Sequence, residues 1–160
     1  MTDDRTSSKA RRATVIVGVD GSEDGLRAAR YAAGSAIRRD ADLIVLHAVD
    51  DAAVAGAWGV VYDPTALQDA GQVVVDDAIH VAVERGMDPD RISGEVVLGN
   101  PAAILADRSA DAQLVVVGRR ATSGLERMFV GSTSVAGAGM SAAPLLVSSR
   151  ASPPAPTGSA

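Results

Sequence analysis

Residues 13–37 read ATVIVGVDGSEDGLRAARYAAGSAI, and they hold the pattern that decides the fold. The first seven residues, 13–19, are β-branched and apolar on both faces, which is typical of a strand buried inside a parallel sheet. After a short polar turn, apolar side chains recur at the spacing of one helical face. These side chains are Leu26, Ala29, Ala33, Ala36 and Ile37. The stretch therefore predicts a buried strand followed by an amphipathic helix.

The same alternation continues along the rest of the chain. Further strand-like runs are predicted at 43–49, 92–98, 114–117 and 145–147. Strands that alternate with helices predict an α/β sandwich with a mostly parallel sheet and right-handed crossovers.

Three more helices are expected between these strands. Apolar positions outline one helix that stops at Gly86, which follows Arg85. These positions are Leu67, Val74, Ala78, Val81 and Ala82. Another helix starts at Asn100, with Pro101 at its first position, where a missing N–H costs nothing. The last helix, over about 132–142, contains two glycines, so packing has to stabilise it.

Length and composition predict one globular domain. The chain has 160 residues and a net charge of −5. We expect disordered tails at 1–12 and 151–160 and a single domain over 13–150. The connection over 50–64 is longer than usual and holds Trp58 and Tyr62, which favours either a functional loop or aromatic side chains tucked beneath it.

Charge and residue usage exclude several classes of protein. The domain carries 11 basic and 18 acidic residues, which disfavours nucleic-acid binding. The one lysine, Lys9, lies in the tail, so neither a Walker A phosphate loop nor a phospho-Asp receiver domain is possible. The chain has no cysteine, which excludes disulfides and thiolate chemistry. With no leader-like segment and no long apolar run, we expect a cytoplasmic protein without membrane association.

Candidate ligand-binding residues follow the first and fourth predicted strands, because ligands of open parallel sheets bind beyond the carboxyl ends of the strands. After the first strand, Ser22 is explained as a helix cap, but that cap leaves Asp20 without an explanation. After the fourth strand, glycines and hydroxyl side chains surround the start of a helix, a pattern that suits either phosphate binding or ordinary capping.

Taken together, these segments resemble the universal stress protein family. The matching pieces are VGVDGS at 17–22, LHAVD at 46–50, GNP at 99–101, LVVVG at 114–118, and GS at 131–132 followed by PLLV at 144–147. The resemblance implies a three-layer, Rossmann-like α/β sandwich of the adenine nucleotide alpha hydrolase-like type. Its five-stranded parallel sheet would have the order 3-2-1-4-5. It also implies a homodimer through the last strand, residues 144–148, from Pro144 at one end to Ser148 at the other.

One subgroup of that family binds ATP between the ends of strands one and four, and the resemblance places such a site here. The implied site residues are Gly18, Val19, Asp20, Ala48, Val117, Gly118, Arg120, Gly131, Ser132, Thr133 and Ser134. Asp20 would contact the ribose, the Ala48 backbone would meet the adenine, and Arg120 with the glycine-and-hydroxyl segment would hold the phosphates. Mg²⁺ is expected to accompany ATP, with no metal cage supplied by the protein.

The ATP motif is incomplete at one position. It has glycine, two residues, glycine, nine residues, glycine and then Ser or Thr, and Ala121 stands at the second glycine. If that position requires a positive φ, alanine costs roughly 1 to 2 kcal/mol, which corresponds to about tenfold weaker ATP binding.

We therefore expect a dimeric, ATP-binding stress-response or regulatory protein, with two alternatives left open. It could be a nucleotide-free dimeric interaction module or a weak ATPase. No dedicated catalytic residues are expected. His47 lies on an apolar strand, which favours a core histidine over a general base.

Overall fold

The computed structural model describes residues 12–50, 63–118 and 145–148, the last of these by backbone position alone. Its strands are β1 (Thr14–Gly18), β2 (Asp42–Val49), β3 (Ile92–Leu98), β4 (Leu114–Gly118) and β5 (Leu145–Ser148). They form one sheet in the order β3-β2-β1-β4-β5, and each neighbouring pair is parallel. The central β1 is thus hydrogen-bonded to β2 on one side and to β4 on the other.

Three α-helices are described, and a side chain caps the start of each. Helix α1 (Glu23–Arg39) begins at Ser22, whose side chain accepts from the Gly25 N–H. Helix α2 (Pro64–Glu84) begins at Asp63, and α3 (Pro101–Ser109) begins at Asn100. Both of these caps are followed by proline, which is favoured there because its missing N–H has no partner in the first turn.

The helices cover both faces of the sheet, which gives three layers. On one face, alternate side chains of β1, β2 and β4 pack against α1 and α2. The fully buried members from the strands are Val15, Val17, Leu43, Val45 and Val116. On the other face, Ile16, Leu46, Val115 and Val117 pack against Leu105 of α3. The strands are therefore apolar on both sides, as expected of a parallel sheet between helices.

The α/β class, the parallel sheet and the layered arrangement that the sequence predicts are confirmed. The predicted stop of the second helix is also confirmed, because Gly86 has a φ of 111° and its N–H donates to the Val83 carbonyl at 2.9 Å. One short 3₁₀ helix, Pro89–Arg91, was not predicted.

Several sequence predictions concern segments outside the described residues. These are the N-terminal tail up to residue 11, most of the 50–64 connection, the helix over 132–142 and the C-terminal tail. Within the described ranges, no helix is both long and apolar enough to cross a membrane.

Candidate functional site

The strand order reverses between β1 and β4, and this point defines the candidate site. From β1 the chain adds β2 and then β3 on one side, whereas β4 and β5 lie on the other. At the carboxyl ends of the two strands, Gly18 of β1 is the register partner of Val117 of β4. Crossover connections leave in opposite directions here, which opens a crevice where ligands of such sheets bind.

Asp20 lies exposed at the end of this crevice, two residues beyond β1. Its Oδ1 accepts from the Ser22 N–H at 2.9 Å and also from the Ser22 hydroxyl. The Ser22 hydroxyl oxygen in turn accepts from the Gly25 N–H at 3.1 Å. The interpretation that the cap leaves Asp20 unexplained is therefore wrong, because Asp20 belongs to the same hydrogen-bonded turn as the cap. Both described bonds end on Oδ1, so Oδ2 faces no donor among the described residues.

The electrostatics of this turn favour a hydroxyl donor over a phosphate. Glu23 and Asp24 occupy the first turn of α1 beside Asp20, where they complement the positive end of the helix dipole. Arg27 balances them partly, since its Nη1 lies 2.7 Å from Asp24 Oδ1. Three carboxylates at one helix start repel a further anion. A ribose, whose hydroxyls donate to carboxylates, fits this end of the crevice, while phosphates need another part of it.

Gly118 brings the end of β4 against the start of α1. A Cβ on Gly118 would lie 2.9 Å from the Asp24 carbonyl carbon and 3.1 Å from the Gly25 nitrogen. No real Cβ sits that close to backbone atoms, so only glycine allows this approach. The carboxyl end of β4 therefore lies directly beside the start of α1, whose cap also holds Asp20.

The remaining described site residues line the carboxyl ends of the central strands. Gly18 lies under Leu105 of α3, since a Cβ there would be 3.0 Å from Leu105 Cδ1. Val117 is fully buried on that same face. Ala48, in β2, is half-buried and belongs to the same alternating set as Leu46.

Val19 is fixed to β2 although it lies beyond the end of β1. Its N–H donates to the Leu46 carbonyl at 2.9 Å, and its carbonyl oxygen lies 2.7 Å from Nδ1 of His47. Sequence reasoning interpreted His47 as a core residue and missed this bond. An apolar strand around one histidine indicates burial, but it carries no information about a partner 28 residues away.

The residues expected to hold the phosphates lie outside the described part of the chain. They are Arg120, Gly131, Ser132, Thr133 and Ser134, together with Ala121. The structure thus brings together, at the carboxyl ends of the central strands, the residues Gly18, Val19, Asp20, Ala48, Val117 and Gly118.

Two further observations concern other ligands. A cavity of about 490 Å³ lies at the opposite, amino-terminal edge of the sheet, lined in part by Arg12, Thr14, Ile44 and Arg108. This cavity is separate from the predicted crevice. Among the residues that the structure describes, no group of three acidic or histidine side chains could hold a metal ion.

Comparison with known proteins decides the family. The family model described as "Universal stress protein family" matches residues 12–149, which include every strand of the sheet. The chain belongs to the universal stress protein family. The resemblance carried by the sequence motifs is thereby confirmed.

Two curated universal stress proteins illustrate the relationship. Universal stress protein Rv2623 of Mycobacterium tuberculosis is 36% identical over 145 residues, covering 91% of this chain and 48% of that protein. Universal stress protein YxiE of Bacillus subtilis is 29% identical over 145 residues, which cover 83% of this chain and 96% of that protein. The chain spans about half the length of the mycobacterial relatives that it matches.

Among solved structures, a universal stress protein described as a complex with cAMP superposes with a TM-score of 0.58. It is 25% identical and covers 88% of this chain and 98% of that one. The described residues place an exposed carboxylate, Asp20, and two glycines, Gly18 and Gly118, at or just beyond the carboxyl ends of β1 and β4.

Proposed function

We propose that this universal stress protein binds ATP between the carboxyl ends of β1 and β4. We further propose that it acts as a homodimeric stress-response or regulatory protein of the cytoplasm. One observation carries the proposal: the exposed Asp20 carboxylate belongs to the hydrogen-bonded turn at the start of α1, and Gly118 approaches that helix start at the point where the strand order reverses. The solved relative in complex with cAMP supports an adenine nucleotide as the ligand class.

In the proposed site, different protein groups contact the nucleoside and the phosphates of ATP. Asp20 accepts a ribose hydroxyl, and the backbone at Ala48 meets the adenine. The phosphates then lie away from the acidic start of α1, near Arg120 and the amides and hydroxyls that begin at Gly131. Mg²⁺ would accompany the nucleotide and neutralise part of the phosphate charge.

An Asp20→Asn variant tests this assignment. Asparagine keeps an oxygen that accepts from Ser22 but removes the charge that a ribose hydroxyl would meet. Since a hydrogen bond to a charged group contributes about 1.5 to 3 kcal/mol, we expect ATP affinity to fall at least tenfold. Asp69→Asn, at an exposed position of α2, is the matched control. Equal ATP affinity in all three proteins would contradict the role of Asp20.

A second candidate function is a nucleotide-free dimeric module, and Ala121 is the observation that favours it. Ala121 occupies a glycine position of the ATP motif. If the parent chain lacks ATP affinity and Ala121→Gly creates it, this second function is correct. If both chains bind, with the glycine variant up to about tenfold tighter, ATP binding is the function.

The homodimer is tested by sedimentation equilibrium. We expect a mass twice that of the 16.2 kDa chain, formed through residues 144–148 at the β5 edge of the sheet. A mass of one chain over the whole concentration range would contradict the dimer.

A further inference from the structure

His47 is the one described side chain that reaches across strands to the backbone of the nucleotide site. It lies on the α1 and α2 side of β2, alternating with Val45 and Leu43. Its Nδ1 is 2.7 Å from the carbonyl oxygen of Val19, and the contact is partly buried. Since a carbonyl oxygen only accepts, Nδ1 must carry the proton, which leaves Nε2 as the acceptor in the neutral ring.

This bond fixes the first residue beyond β1. The N–H of Val19 already donates to the Leu46 carbonyl at 2.9 Å, so both polar backbone groups of Val19 are tied to neighbouring residues of β2. The next residue is Asp20, whose carboxylate closes the turn with Ser22. His47 therefore holds one of the two backbone groups that tie the residue directly before Asp20 to β2.

The packing around the ring leaves it little freedom. A Cβ on Gly71 of α2 would lie 3.0 Å from Cδ2 of His47 and 2.8 Å from Cγ1 of Val96. Helix α2 therefore approaches the sheet closely enough to hold the ring only because residue 71 has no side chain. Glycine inside a helix is destabilising relative to alanine, so this close approach comes at the expense of helix stability.

We propose that His47 is a positioning residue of the nucleotide site, whose Nδ1–H holds the Val19 carbonyl and thereby sets the turn that carries Asp20. This inference rests on the proposed function. It assigns His47 no contact with the nucleotide and no proton transfer.

Two substitutions separate the donor from the bulk of the ring. In His47→Asn the amide nitrogen occupies the place of Nδ1 and still donates, whereas His47→Leu fills similar space without a donor. We expect His47→Leu to weaken ATP binding three- to tenfold and His47→Asn to stay within threefold of the parent chain. His80→Leu is the control, because His80 lies exposed on α2, where its described partner is Glu84 at 3.2 Å. It should leave ATP affinity unchanged.

Two measurements without nucleotide complete the experiment. Nitrogen-15 shifts should show His47 protonated at Nδ1, and His47→Leu, but not His47→Asn, should accelerate amide exchange at Val19 and Ser22. A purely structural role would lower thermal stability in both variants without this contrast in exchange or affinity. Absence of ATP binding by the parent chain overturns the proposed function. Binding by the parent that His47→Leu leaves unchanged, or that both variants weaken equally, overturns only the role of His47.

Discussion

Single glycines at the ends of the central strands set how closely the layers of the molecule approach. Gly118 faces backbone atoms of α1, whereas Gly18 faces the terminal methyl groups of Leu105. Backbone at a helix start has little room to move, while the end of a leucine side chain can rotate. Two glycines that are similar in sequence are therefore expected to respond differently to the same added methyl group.

Gly118→Ala is expected to destabilise the protein by about 1 to 3 kcal/mol, because the new methyl group overlaps the start of α1. Gly18→Ala serves as the matched variant, and its cost should be smaller because Leu105 can shift. Urea unfolding of both variants measures the difference. Equal free energies of unfolding in the two variants would contradict the close approach at Gly118.

Arg91 joins the end of α1 to the start of β2 through a small ion cluster. Its Nε lies 2.9 Å from Asp42 Oδ1 and its Nη1 lies 2.6 Å from Asp40 Oδ1. Nη2 also donates to the Asp40 carbonyl at 2.9 Å. Asp40 has a φ of 51°, a left-handed conformation that aspartate adopts more readily than most residues. The hydrogen bond from Arg91 and its positive charge lower the pKa of Asp40 below its ordinary value of 3.8.

This lowered pKa predicts a pH dependence. A carboxylate whose pKa is lower in the folded state adds stability above its ordinary pKa, and that stability is lost as the pH falls through the folded value. Replacement of Arg91 by glutamine should therefore reduce stability at neutral pH, and its difference from the parent should shrink below pH 3.8. Urea unfolding from pH 7 downward measures this. Arg30→Gln, at an exposed position of α1, is the control, and an Arg91→Gln difference that stays constant with pH would refute the coupling.

At the scale of elements, helix caps link stability to the site. Ser22 caps α1 and also donates to Asp20, whereas Asn100 caps α3 and accepts from the Ala103 N–H at 3.1 Å. Both caps hold their helices, but only the first touches a residue of the proposed nucleotide site.

Loss of either cap should lower the free energy of unfolding by about 0.5 to 2 kcal/mol. Ser22→Ala should in addition weaken ATP binding, because the Asp20 carboxylate loses the hydroxyl donor and keeps only the backbone N–H of residue 22, whereas Asn100→Ala should leave affinity unchanged. Thermal unfolding and calorimetric titration of the two variants test this contrast. If Ser22→Ala and Asn100→Ala bind ATP with the same affinity, the turn that Ser22 forms with Asp20 does not contribute to nucleotide binding.

Secondary-structure elements that are determined by their own local sequence could be predicted. The β-branched runs of β2 and β3 agree with their observed bounds within one residue, and the caps Ser22 and Asn100 mark true helix starts. Features that depend on distant partners could not be predicted. The bond from His47 to Val19, the contact of Gly118 with α1 and the left-handed Asp40 held by Arg91 arise only when the layers assemble.

At the scale of the whole molecule, one sheet separates two apolar cores, and the candidate site lies where both cores end. Side chains of β1 and β4 alternate between the two cores, so a ligand at their carboxyl ends contacts residues tied to both. Binding there should stabilise the folded chain as a whole rather than one element.

Thermal unfolding tests this global coupling. ATP at about 100 times its Kd should add about 2.7 kcal/mol, which corresponds to a rise in Tm of roughly 5 to 10 °C. At the same ATP concentration, Asp20→Asn should show a smaller rise. A rise of equal size in both proteins would mean that the stabilising site lies elsewhere.

We propose that this universal stress protein binds ATP in the crevice between β1 and β4. Isothermal titration of the parent chain with ATP, in the presence and absence of Mg²⁺ and beside AMP, tests it most directly. We expect saturable ATP binding in the micromolar range. No binding heat up to millimolar ATP would contradict it.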